Sequence, residues 1–190
     1  MTVDEFVKMD NSFNEGMFLT KVNNIFVKLL TAIMMDDLDS VRHFISDDVY
    51  KWAESIAKEA RDNGHRQMYD ELNVKESKID SILEEPRQYV IKVYLQSRYL
   101  NYIINLSDGS MVSGNDHSRI QVNYNLIFTK RKATEKQGIA RKCPGCGAPI
   151  SVNTSGKCEY CGSTYNQEDY DWVLTKLEVL WMEWKINGFN

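Results

Sequence analysis

The chain has 190 residues and carries 23 Lys plus Arg against 27 Asp plus Glu, a formal net charge of −4, with 43% apolar and 26% charged residues. Its 10 Gly and 3 Pro exclude collagen-like, linker-like and disordered chains and imply one domain with a real core and room for a small appendage. Mild acidity also weighs against a protein whose whole surface grips nucleic acid or anionic lipid.

No run approaches the roughly 18 consecutive apolar residues of a spanning helix; the richest is 29–35. The start Met1-Thr2-Val3-Asp4-Glu5 lacks the basic-then-apolar order of a secretory signal. The expected setting is therefore cytoplasmic, at most peripheral at the cytoplasmic face of a membrane.

Helical patterns fill the first 64 residues. A short helix is expected over 3–14. Val22, Ile25, Phe26, Leu29, Leu30 and Ile33 then recur at the spacing of one apolar helix face. Asp36, Asp37 and Asp39 offer caps for a short helix running through Val41 and Phe44. Ser46-Asp47-Asp48 opens another that carries Val49, Tyr50, Ala53, Ile56, Ala57 and Ala60 and stops at Asn63-Gly64.

From Leu72 the period changes to two. Strands are expected near 73–85, 88–106 and 118–131, the last alternating Ile120, Val122, Tyr124, Leu126 and Phe128 with polar residues. In the second, the apolar set moves from odd positions (Tyr89, Ile91, Val93, Leu95) to even ones (Leu100, Tyr102, Ile104, Leu106), which implies a bulge or bend. Turns are read at 107–110 and 113–116, making an antiparallel meander. Residues 169–184, with Trp172, Val173, Leu177, Val179 and Trp181, read as a fourth strand in preference to a helix.

All four cysteines lie in Cys143-Pro-Gly-Cys146 and Cys158-Glu-Tyr-Cys161, with 11 residues between the pairs. Two such turns supply four thiolates to one tetrahedral zinc, and Gly147 and Gly162 let each turn tighten. Two disulfides would need an oxidising compartment, and a redox pair needs only one Cys-x-x-Cys. Four thiolates leave no position for an activated water, so the expectation is one structural zinc per chain, stapling a segment too short to own a core.

Two other chemistries compete with this reading. Residues 130–142 hold six basic residues and one acid, +5, next to the zinc segment, which raises nucleic-acid binding as an alternative; a solvated charged linker is the commoner explanation, and nucleic acid is disfavoured as a partner. For an enzyme, His43, His65 and His117 are the only histidines and none falls on a clean inward-facing strand pattern. The acidic trio is explained by capping, and no nucleophile elbow, P-loop or paired-glycine fingerprint is present. Small-molecule catalysis in a cavity stays an alternative, and the chain is read as a non-enzyme.

Helices followed by a long bent antiparallel sheet give an α+β class in which helices pack on one sheet face and the sheet wraps them as a cone. The helical opening Phe13, Phe18, Val22, Phe26, Leu29 and Ala32 leads into Asp37-Leu38-Asp39 and Phe44. Later come residues 102–106, Asp108-Gly109, Ser113-Gly114 and Tyr124-Asn125-Leu126-Ile127-Phe128, ending at Arg131. Over residues 13–131 this order resembles the Tim44-like domain family, whose members share the nuclear-transport-factor-two-like cone fold. A bacterial subgroup of that family looks like it carries a four-cysteine knuckle beside the sheet.

The resemblance implies a noncatalytic binding or scaffold module that takes a protein, or a lipid or other apolar ligand, through the cone or its rim. Tyr99, Tyr102, Tyr124, Phe128 and Trp172 would line the cone; the alternative is that they fill the core. Recruitment to anionic lipid is opposed by Asp4, Glu5, Asp10 and Glu15 against Lys8 alone in residues 1–20. The organisation expected is a cone-like domain of residues 1–140 and 166–190 with the zinc knuckle, 141–165, inserted before the last strand. Trp181, Trp184 and Phe189 would suit a homodimer.

Overall fold

The computed structural model describes residues 1–132, 148, 160 and 171–183. Its elements are α1 (Val3–Met9), α2 (Glu15–Met35), a 3-10 helix (Leu38–Val41), α3 (Asp47–Asp62), β1 (His65–Glu84), β2 (Gln88–Asn105), β3 (Met111–Arg131) and β4 (Val173–Glu183). The strands form one antiparallel sheet in the order β1-β2-β3-β4. The α+β class, the N-terminal helices and the fourth strand are thus as expected. The four cysteines of the knuckle expected over 141–165 lie outside the described residues, and so do both domain boundaries expected around it.

Each helix starts where a side chain can satisfy an orphan backbone N–H. Thr2 and Glu5 make a reciprocal capping box on α1, Asn14 accepts from the Met17 N–H at 2.9 Å on α2, and Ser46 accepts from the Val49 N–H on α3. The helix α1 stops at Met9 rather than continuing to 14, because Asp10 turns extended and its carbonyl accepts from Phe13 N. The helix after Asp37 also ends early, at Val41. Beyond it the chain is drawn into sheet pairing: Ser46 N donates to Leu174 O and Leu174 N to Phe44 O, both at 2.9 Å.

The sheet departs from expectation in two places. β1 begins at His65, immediately after Gly64 turns the chain at φ +69°. β3 begins at Met111 and runs straight through 113–116, which read as a turn. Gly114 pairs with Tyr102 and Asn115 with Asn101, and the ladder resumes at Tyr99 with Ile120, leaving residues 116–119 as a wide bulge. A Cβ on Gly114 would sit 2.4 Å from Asn101 O, so this close strand approach requires glycine. The phase slip of β2 does fall here: Ile91, Val93, Leu95, Ser97 and Tyr99 are buried at odd positions, then Leu100 at an even one.

The helices cover one face of the sheet. Phe18, Val22, Ile25, Phe26, Leu29, Leu30 and Ile33 of α2 join Ile91, Val93, Leu95, Val122, Leu126 and Phe128 in a single core. By length and composition α2 could cross a bilayer, yet this apolar stripe is buried in the core, as in the central helix of a globular domain. Phe6 pins the short α1 to the rest by edge contacts with Phe13, Tyr89 and Trp172 at 4.9, 5.0 and 6.2 Å.

Candidate functional site

Among the described residues, core side chains occupy the helix-covered face of the sheet, where a cone could hold a ligand. Of the five aromatic residues expected to line it, Tyr99, Tyr124, Phe128 and Trp172 are at most 5% exposed and belong to the core. Phe26 of α2 meets Tyr124 edge-on at 4.9 Å, and Phe18 meets Phe128 at 5.7 Å. Tyr102 is separate: it is half-buried, and its hydroxyl donates to the Asp70 carboxylate on the neighbouring strand. That bond holds the Tyr102 phenol protonated, pushed up to about 12.

Within the core the Tyr99 and Tyr124 hydroxyls are hydrogen-bonded to each other, and Tyr69 packs edge-on against Tyr99 at 5.7 Å. Burial pushes all three phenols up, so at neutral pH they are hydrogen-bonding groups and no source of charge.

The remaining titratable candidates do not converge. His43 is buried, His65 opens β1, and His117 lies on β3 instead of in a loop, its ring exposed beside Asp116 at 3.0 Å. Asp36 forms the left-handed C-cap of α2 at φ 54°, and its two carboxylate oxygens accept from Arg61 Nη1 of α3 at 2.5 and 2.6 Å. Asp37 occupies the N-cap of the 3-10 helix but makes no side-chain cap bond. With Tyr50 and Glu54 these acids line a polar hollow of about 210 Å³. Among the described residues no three His, Cys, Asp or Glu side chains are grouped to hold a metal ion.

The described part of the basic run is engaged within the fold. Lys130 bonds Asp10 at 3.2 Å and lies over the Trp172 ring, while Lys132 pairs with Glu84 and lies over Tyr89. Residues 133–142 lie outside the described set.

A concavity that the sequence reading missed lies on the other side of α2. It has a volume of about 440 Å³ and runs along Met17, Lys21, Asn24, Val27 and Lys28, closed on one flank by Phe44. A signal for it was present in the chain: between Gly16 and Met35 the only charged side chains are Lys21 and Lys28, two helical turns apart on one face. Lys21 is paired with Asp171, and Lys28 Nζ sits 5.2 Å from the centroid of the Phe44 ring.

Comparison with known proteins gives a family and similar solved structures. The model of the Tim44-like domain family matches residues 1–139. Among solved structures, the intermembrane space region of the chloroplast protein ARC6 superposes with a TM-score of 0.43 at 10% identity, over 85% of this chain and 95% of that one. No curated protein matches the chain.

Proposed function

The chain belongs to the Tim44-like domain family, and from that premise we propose that it is a noncatalytic module that binds another protein through its outer surface. One observation carries the reading: among the described residues Phe26, Tyr99, Tyr124 and Phe128 pack in one core on the helix-covered face of the sheet, so a small molecule entering there would have to displace core side chains. Ligand sites are ordinarily preformed hollows lined by convergent polar groups. Among the described residues, several carboxylates and cations are instead paired within the fold, as in Asp36–Arg61 and Asp10–Lys130.

The proposal includes one structural zinc held by Cys143, Cys146, Cys158 and Cys161. The donor set fits the ion by type, number and spacing: four soft thiolates in two Cys-x-x-Cys turns. When bound, the metal would supply cross-linking of its own segment and no catalysis. The expected setting is cytoplasmic, in solution or at the cytoplasmic face of a membrane.

Affinity capture with the full chain, followed by reciprocal capture with each recovered protein, tests the reading. A protein partner recovered in both directions is the expected result. Recovery of salt-labile nucleic acid alone would overturn it and promote the basic run before Cys143.

A further inference from the structure

The groove outside α2 specifies what kind of partner such a module would take. The helix spans 21 residues, about 31 Å at 1.5 Å per residue, and commits one stripe to the core. Its opposite side keeps Met17 75% exposed, with Val27 and Phe44 as further apolar contacts along the groove. The two lysines on this side are seven residues apart, about 10 Å along the axis. Among the described residues, Lys28 has no carboxylate partner, only the face of Phe44 beneath it.

With Lys21 already paired to Asp171, an apolar trough flanked by the uncompensated Lys28 is complementary to one common recognition element. It fits an amphipathic helix that inserts apolar residues at i, i+3 or i+4 and i+7 and carries Asp or Glu along its flanks. Charge complementarity selects the acidic version, since a lysine-flanked helix would meet the uncompensated Lys28 head-on. A flat anionic bilayer is a poorer fit to a concave surface than a single inserted helix. We infer that this groove is the docking site for an acidic amphipathic helix of a partner protein. The inference rests on the protein-binding reading above and adds the surface and the partner's chemistry to it.

The test uses the full chain and two labelled model peptides of about 18 residues, long enough for stable helices. Both carry the same leucine stripe, one flanked by glutamates and the other by lysines. Fluorescence anisotropy is expected to show the glutamate peptide binding at least about tenfold tighter than the lysine peptide, and about tenfold weakening in Lys28→Glu and in Met17→Asp. Lys51→Glu, an exposed change on α3, should leave binding unchanged, and thermal melts should show all three variants folded. Equal affinity for the two peptides, no binding of either, or indifference to both groove variants overturns the inference. So does co-sedimentation with phosphatidylglycerol vesicles that Lys28→Glu abolishes while the peptides do not bind. If the groove variants still capture the wild-type protein's partner, the groove is wrong and the protein-binding reading stands; if the wild-type chain has no protein partner, that reading itself fails.

Discussion

The hydroxyl oxygens of Tyr99 on β2 and Tyr124 on β3 lie 2.5 Å apart, inside the hydrophobic core cluster. One hydroxyl donates to the other across the two strands, and neither strand can slide without breaking that bond.

Removing one partner should therefore cost more than removing both. Tyr124→Phe or Tyr99→Phe leaves a buried hydroxyl alone and should destabilise the fold by about 1–2 kcal/mol, whereas the double variant should lie within about 1 kcal/mol of wild type. Urea unfolding of the four proteins checks this; simple additivity of the two single changes would show that the hydroxyls do not depend on one another.

The same tyrosines set an alkaline limit on stability. Burial raises the phenols of Tyr69, Tyr99 and Tyr124 above their ordinary value. The unfolded chain begins to release these protons near pH 10 while the folded chain retains them. The folded state then binds more protons than the unfolded one, so stability is intact below about pH 10 and falls as pH rises beyond it. Thermal melts followed by circular dichroism from pH 8 to 11 should show a decline that is shallower in the double phenylalanine variant. A flat profile would mean that these phenols are accessible in the folded chain.

Gly114 should tolerate no side chain. At φ +91°, with Asn101 O and Tyr102 Cα at 2.4 and 2.5 Å from a would-be Cβ, Gly114→Ala combines backbone strain with a clash against main chain and should cost about 2–4 kcal/mol. Gly109→Ala, at φ +73° with open space around it, should cost about 1 kcal/mol. Equal losses in denaturant unfolding would remove the case for a tight strand contact at Gly114.

The cysteine quartet predicts a stoichiometry. Purified under reducing conditions, the chain should carry about one zinc, and Cys143→Ser should lose most of it. Elemental analysis combined with thiol titration decides the matter: a metal-free chain with four freely reacting thiols would refute the zinc assignment.

How much was legible in advance depended on the range of the interaction. Caps and periodicity act over three or four residues, so α2 and α3 could be read from Asn14, Ser46 and the spacing of Val22 to Ile33, and the bulge in β2 from its shift of phase. Gly and Asp near 113–116 gave a false turn because those residue types suit a turn and a bulged strand alike. Which one forms depends on Asn101 and Tyr102, strand partners that local composition does not specify. The groove outside α2 was missed for a related reason. Lys21 and Lys28 were plain in the chain, but their opposite wall is Phe44, brought there because Phe44 and Ser46 pair with Leu174.

The chain by itself determined what local chemistry can encode: an α+β order, the helix starts, the alternating faces of the strands, the likeness to a Tim44-like domain and the expectation of a four-thiolate zinc. Tertiary structure decided the rest. It packed Tyr99, Tyr124, Phe128 and Trp172 into one core on the helix-covered face of the sheet, and it joined Lys21 to Asp171 across 150 positions. Contacts of that range depend on how bulges set strand register and how side-chain volumes share one core. Both are properties of the assembled packing, which no single segment carries.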